Sequence, residues 1–92
     1  MSKKGIDTEA KKLFLDVLAG LKDKAEFEMF LEDIFSSAEV KDFSRRLLAA
    51  KFLMEKKTYL EIQQDMGMGE GTINKIHFKT KGSPLFRRLF EK

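Results

Sequence analysis

The sequence predicts an all-α protein that folds as a single domain of six helices. Its 92 residues suffice for one domain and leave no room for a second core. Apolar residues recur with the helical period of about 3.6 nearly everywhere, and no segment shows the alternation that predicts a strand. Several helix starts carry the residue spacing of a capping box, and the chain contains a single proline.

The first two predicted helices each carry an apolar stripe. The first begins near Asp7, and the second follows Asp23, which has the capping-box spacing to Glu26. The stripes are Leu13, Phe14, Val17, Leu18 and Leu21 on the first helix and Phe27, Phe30, Leu31, Ile34 and Phe35 on the second. Each stripe predicts a helix that buries one face.

The third predicted helix is apolar over a wide arc. It opens at Ser36, which has the capping-box spacing to Glu39, and runs to about Lys56. Its apolar residues are Val40, Phe43, Leu47, Leu48, Phe52 and Met54. Such a helix is usually contacted from several directions, either at the centre of a monomer or across a dimer axis. We favour the dimer, because nine Phe and the Leu, Ile and Val stripes exceed what a lone domain of this size needs.

Residues 58–79 meet the requirements of a helix-turn-helix. Thr58, with capping-box spacing to Glu61, starts a short helix that ends at Gly67, where glycine permits a turn with positive φ. The next helix begins around Glu70. The apolar residues expected inside the corner are Ile62, Met66, Met68, Ile73 and Ile76. Lys81-Gly82 ends this helix, and Ser83-Pro84 starts a final amphipathic one.

The outer side and leading end of the second helix then hold Glu70, Gly71, Thr72, Asn74, Lys75 and Lys79. Residues 72–92 carry six basic residues against one acidic residue, a charge distribution that suits a polyanion but also an ordinary solvated face. The MGMGEG run lacks the preceding strand and the Lys-Ser or Lys-Thr pair of a phosphate loop. We therefore interpret it as a helical corner.

Enzymatic and metal sites have no support in the sequence. The absence of cysteine excludes thiol catalysis and zinc thiolate sites, and His77 has no second histidine with which to bind a metal. No nucleophile–base pair or carboxylate pair can be named. We predict no catalytic residue and no metal ligand.

The segment SSAEVKDFSRRLLAAKFLMEKKTYLEIQQDMGMGEGTINKI, followed by KGSP, resembles the Trp repressor (TrpR) superfamily, in particular its short proteins of the YerC/YecD type. The resemblance covers about residues 27–92. It implies a six-helix, intertwined homodimer whose helix-turn-helices bind a palindromic operator in double-stranded DNA. By position it makes the DNA-facing residues Gln63, Glu70, Gly71, Thr72, Asn74, Lys75 and Lys79. Lys75 and Lys79 would contact phosphates, and Thr72 and Asn74 base edges or bridging water.

The family's corepressor pocket is only partly matched. Its two arginines correspond to Arg45 and Lys75, which we take as the candidate ligand-binding residues. Without the resemblance, Arg45 would simply pair with Asp42 or a neighbour on the helix surface. Lys75 lacks the planar fork of arginine. Ile76 stands where the family has a glycine that leaves room for the indole. We therefore expect no cofactor and no tryptophan binding, with any other small-molecule effector unknown.

The sequence thus predicts a cytoplasmic, dimeric transcriptional regulator, a repressor, with no membrane-embedded part. Its domain organisation is a tail over residues 1–5, a dimerisation core over 6–57 and 83–92, and the helix-turn-helix over 58–79. Two alternatives stay open: an all-α protein–protein interaction module with a vestigial DNA head, and a sensor of a small molecule other than tryptophan.

Overall fold

A computed structural model describes residues 5–91, and the predicted all-α class and six helices are confirmed over that range. The helices are α1 Ile6–Gly20, α2 Lys24–Ile34, α3 Ser37–Met54, α4 Tyr59–Met66, α5 Glu70–Thr80 and α6 Pro84–Phe90. No strand occurs between residues 5 and 91. Most of the predicted N-terminal tail, residues 1–4, lies outside the described residues, as does Lys92. None of the described helices is both long and apolar enough to cross a membrane.

Predicted caps start two of these helices. The Asp23 carboxylate accepts a hydrogen bond from the backbone N–H of Glu26 at 2.9 Å and thereby satisfies a donor that α2 leaves unpaired. The Ser83 hydroxyl does the same for Phe86 at 3.1 Å, with Pro84 at the first position of α6. Local side-chain chemistry therefore decides where α2 and α6 begin.

The α3 helix ends two residues earlier than predicted. The prediction ran to about Lys56, but the helix stops at Met54 and Lys56 takes a left-handed conformation with φ of 69°. The N–H of Lys56 donates to the carbonyl of Leu53 at 3.1 Å, and that of Lys57 donates to Phe52 at 3.0 Å. These two bonds form a Schellman motif, which satisfies the last carbonyls of the helix. Glycine usually occupies this left-handed position, so the lysine there did not indicate the end of the helix.

The described chain divides into two compact units, with the boundary between Ser37 and Ala38. We call them the N-terminal unit and the C-terminal unit. In the N-terminal unit, the ring centroids of Phe14 and Phe30 lie 6.2 Å apart and those of Phe30 and Phe35 lie 6.3 Å apart. Neither α1 nor α2 contains a buried residue. Its large exposed side chains are Ile6, Leu13, Phe14, Leu15, Val17, Phe27, Met29 and Ile34.

The C-terminal unit has a small core where α3, α4 and α5 meet. Ala49, Ile62 and Ile73 have no solvent exposure and form one cluster, and Ala50 is also buried. Three of the large residues of α3 that the sequence singled out behave differently, since Phe43, Leu47 and Leu48 remain about half exposed. The buried residues of α3 are instead its two alanines, which the stripe of large residues did not reveal.

Candidate nucleic-acid interface

The start of α4 is a complete capping box. The Thr58 hydroxyl accepts from the backbone N–H of Glu61 at 3.1 Å, and the Glu61 carboxylate accepts from the backbone N–H of Thr58 at 2.9 Å. The carboxylate also accepts from the Thr58 hydroxyl at 3.0 Å. These hydrogen bonds, above all that from the Thr58 backbone, favour the charged form and lower the pKa of Glu61. The predicted capping box at the start of α4 is confirmed.

The corner between α4 and α5 has the predicted geometry. Gly67 ends α4 with φ of 62°, and its N–H donates to the carbonyl of Gln63 at 2.9 Å. Met68 is partly buried against the core cluster, together with Met66 and Ile76. Gly69 precedes α5 with an extended backbone and offers no side-chain cap. The first N–H groups of α5 therefore lack a side-chain acceptor and can bind an anion or water.

Six of the seven predicted DNA-facing residues lie exposed on α5: Glu70, Gly71, Thr72, Asn74, Lys75 and Lys79. The seventh, Gln63, is half-buried on α4. The opposite face of α5 anchors the helix through the buried Ile73. Within the described chain, neither Lys75 nor Lys79 takes part in an ion pair. Their positive charges therefore remain available to a polyanion.

A cavity of about 440 Å³ lies in the C-terminal unit, bounded by α3, α5 and α6. Three cations border it, Arg46, Lys75 and Lys79, and the remaining lining residues are Phe43, Leu47, Ala50, Thr72, Ile76, Thr80 and Phe86. Ile76 thus forms part of the wall. The combination of apolar walls and a basic rim suits a ligand that carries both an apolar group and an anionic group.

The predicted ligand-binding pair, Arg45 and Lys75, is not brought together at this cavity. Lys75 lines it, but the Arg45 guanidinium donates to the main-chain carbonyl of Met66 at the end of α4. The expected pairing of Arg45 with Asp42 is also wrong, because Arg46 forms that ion pair at 3.3 Å. Two consecutive arginines on a helix point about 100° apart. Arg45 consequently faces α4, and Arg46 faces the cavity.

A second group of α5 residues contacts α4. The Tyr59 hydroxyl donates to the Asn74 carbonyl oxygen Oδ1 at 3.2 Å and lies 2.7 Å from Nδ1 of His77. The Tyr59 and His77 rings meet edge to face at 5.7 Å. His77 is thus a packing histidine, and the described residues contain no cluster of metal-ligand type. The sequence did not reveal Tyr59 as part of the site, because this contact spans 15 residues.

Phe78 is a further exposed residue of α5 that the sequence reading did not assign. Its side chain is 75% exposed, and the Lys81 ammonium group lies 5.5 Å from its ring centroid. The cation covers one face of the ring and makes a weak favourable contact. Phe78 therefore lies beside the basic residues of α5.

Comparison with known proteins agrees with this arrangement. The sequence model of the family described as "Trp repressor protein" matches residues 9–90. The uncharacterized protein YerC of Bacillus subtilis (strain 168) is 32% identical over 68 residues, which span 74% of this chain and 64% of that protein's length. A crystal structure of a TrpR-like protein from Eubacterium eligens ATCC 27750 is 30% identical, with a TM-score of 0.78 over 97% of this chain and 93% of the other. The family consists of DNA-binding regulators rather than enzymes. With nearly all of its length matched and the helix-turn-helix in place, this chain belongs to the Trp repressor family.

Proposed function

We propose that the protein is a sequence-specific transcriptional regulator that binds DNA through α4 and α5 and represses transcription by occupying a promoter. The observation that carries this proposal is the exposed face of α5, which holds polar side chains, Phe78 and two lysines that form no ion pair among the described residues. The buried Ile73 and the corner at Gly67 hold this helix against the rest of the C-terminal unit. An exposed, basic helix of this kind fits the major groove.

The proposed roles follow from chemistry and position. Lys75 and Lys79 neutralise phosphates, which supplies affinity without sequence information. Thr72 and Asn74 contact base edges directly or through water. Glu70 lies at the start of α5, where a carboxylate favours the helix dipole and can accept from the amino group of a cytosine. Gly71 keeps the leading end of the helix narrow, and Gln63 reaches the DNA backbone from α4.

We further propose that the protein acts in the cytoplasm as a homodimer on a palindromic operator. The apolar side chains exposed on α1, α2 and α3 offer the surface that a second copy would cover. A two-fold dimer presents two copies of α5, and these would read half-sites about 34–36 Å apart. Because both half-sites are bound at once, the dimer would bind the operator more tightly than one helix-turn-helix would bind a single half-site.

Tryptophan is not the proposed effector. Arg45 is engaged by the Met66 carbonyl, Lys75 lacks an arginine fork, and Ile76 takes up part of the cavity wall. We expect DNA binding without a corepressor, and no thermal stabilisation by added tryptophan. The basic-rimmed cavity favours one secondary candidate, a sensor of a different anionic and partly apolar molecule.

Replacement of both lysines tests the proposal. The double variant Lys75→Ala/Lys79→Ala should lose at least about tenfold in affinity for mixed duplex DNA. The slope of log affinity against log salt should fall by about 2 for each protomer, and thus by about 4 for the proposed dimer. The matched control is Lys11→Ala/Lys12→Ala, which removes the same charge from exposed positions of α1. Equal effects of the two pairs would remove α5 from the interface. No wild-type binding at low salt would favour the rival class, a protein–protein module with a vestigial DNA head.

A further inference from the structure

Three side chains at the junction of α4 and α5 form a hydrogen-bonded chain that ends at an exposed amide. We propose that Tyr59 and His77 position Asn74 so that its amide NH₂ group faces the DNA and selects a base edge that presents a hydrogen-bond acceptor. Asn74 is then the contacting residue, and Tyr59 and His77 are positioning residues. The inference rests on the proposed DNA-binding function and assigns a specificity to one position of α5.

The geometry of the chain is well defined at each link. Tyr59 is half-buried, and its ring packs against the core cluster. Its hydroxyl group lies 3.2 Å from Oδ1 of Asn74 and 2.7 Å from Nδ1 of His77, both of which project from α5. Asn74 itself is exposed, whereas His77 is half-buried. An anchored side chain of α4 therefore holds a polar side chain at the surface of α5.

The protons of the three groups determine which end of the Asn74 amide is free. The Tyr59 hydroxyl has one proton, and it is donated to Asn74 Oδ1. In the proposed arrangement His77 carries its proton on Nδ1 and donates it to the Tyr59 oxygen at this short contact, since a phenol oxygen also accepts. With Oδ1 engaged by Tyr59, the two N–H donors of Asn74 are the part of the amide left for another partner.

This assignment has a consequence for base recognition. In the major groove, purine N7, guanine O6 and thymine O4 are acceptors, whereas the cytosine amino group is a donor. An amide held with its NH₂ outward gains a hydrogen bond from the acceptors and none from cytosine. Without Tyr59 the amide can rotate, and either end can then meet the base. We therefore expect the preference at this base to depend on the Tyr59 hydroxyl.

The alternative is that Tyr59 and His77 only join α4 to α5. Their edge-to-face ring contact would serve that purpose without the hydroxyl group. Tyr59→Phe separates the two explanations, because it keeps the ring and removes the bonds to Asn74 and His77. If Tyr59 and His77 serve only packing, Tyr59→Phe should weaken binding to all duplexes equally or leave binding unchanged. If they position Asn74, Tyr59→Phe should change the preference at one base pair.

The experiment begins with selection of preferred sites from a random duplex library by the wild-type protein. Single-base variants of the selected site are then measured against the wild type, Asn74→Ala and Tyr59→Phe. We expect Asn74→Ala to flatten the preference at one base pair per half-site, where the wild type disfavours cytosine by about tenfold. Tyr59→Phe should flatten the preference at the same base pair to about the same extent, with salt slope and affinity for random duplex unchanged.

His77 supplies a conservative rescue. Asparagine at position 77 places an amide group near the position of Nδ1, so His77→Asn should keep most of the discrimination, and His77→Leu should lose part of it. Circular dichroism melting of each variant verifies folding, and a Tyr59→Phe protein that failed to fold would leave the two His77 variants to decide. Equal discrimination by His77→Asn and His77→Leu would overturn the positioning role of His77.

Five other outcomes would overturn the proposal. Tyr59→Phe could retain the full preference, or it could weaken all duplexes equally, which would assign Tyr59 to packing alone. The base pair sensitive to Asn74→Ala could prefer cytosine, which would reverse the orientation of the amide. A wild-type protein that binds duplex DNA without sensitivity to Asn74→Ala would overturn this inference but leave the proposed function standing. A wild-type protein that binds no duplex would overturn both.

Discussion

Both units of the chain expose large apolar side chains, but only the C-terminal unit also buries some of them completely. In the C-terminal unit, Ile62 and Ile73 are completely buried against Ala49, and the exposed face of α5 is polar and basic apart from Phe78. In the N-terminal unit, neither helix has a buried residue, and Leu13 and Ile34 are 64% and 66% exposed. The C-terminal unit therefore has its own buried core, whereas the apolar side chains of the N-terminal unit still need a surface that buries them. That need is what the proposed dimer would meet.

The largest expected effect on the free energy of unfolding comes from a change in the core of the C-terminal unit. Ile73→Ala removes most of a fully buried side chain between α3, α4 and α5 and should lower the free energy of unfolding by about 2–5 kcal/mol. Chemical denaturation measures this loss. Phe78→Ala, on the exposed side of the same helix, is the control and should change the free energy by less than about 0.5 kcal/mol. Similar losses in both variants would mean that α5 is anchored through another face.

The N-terminal unit should respond to protein concentration. If a second copy covers α1, Leu13→Ser should lower apparent stability by about 1–2 kcal/mol at concentrations where the chain is paired, and by almost nothing at high dilution. The midpoint of thermal unfolding across a concentration series, together with sedimentation, measures both arms. Lys12→Ser, the adjacent exposed position, is the control. A wild-type midpoint that does not depend on concentration would contradict the dimer.

The same contrast explains how far the sequence could predict the structure. The corner was predictable because its signals are local: Thr58 and Glu61 lie three residues apart, and Gly67 allows the left-handed turn. The packing of Ile62 and Ile73 followed from helical periodicity. The helix-turn-helix pattern also placed six candidate residues on the outer side of α5, where all six are exposed. These features depend on residues that lie close together in the sequence, and the sequence alone therefore predicts them.

The remaining parts depend on contacts between distant residues. Arg45 reaches a carbonyl 21 residues away, and Tyr59 reaches Asn74 across 15 residues, so neither contact leaves a local pattern. Ala49 and Ala50 were missed because small side chains contribute little to an apolar stripe, although they are the buried residues of α3. Arg45 and Arg46 occupy neighbouring positions on α3, and this difference of one residue decides which of the two faces the cavity.

The boundary between α3 and α4 offers a test of intermediate size. Lys56 adopts a left-handed conformation that glycine takes without strain. Lys56→Gly should therefore raise the free energy of unfolding by about 0.5–1 kcal/mol, after allowance for the greater freedom of glycine in the unfolded chain. Lys56→Ala is the matched control, because it removes the same charge but keeps the strain. An equal gain in the two variants would assign the effect to charge, and denaturant titration distinguishes the outcomes.

The smallest expected effect is the dependence of the α4 cap on pH. Hydrogen bonds from the Thr58 backbone and hydroxyl hold the pKa of Glu61 below its ordinary value of 4.5. A depressed carboxylate pKa contributes stability that is present above pH 4.5 and is lost as pH falls through the folded-state pKa. Glutamine can still accept the hydrogen bond but does not titrate. We therefore expect wild type to melt above Glu61→Gln at neutral pH, with the gap closing in acid. A gap that is constant with pH would show that the charge of Glu61 does not strengthen the cap.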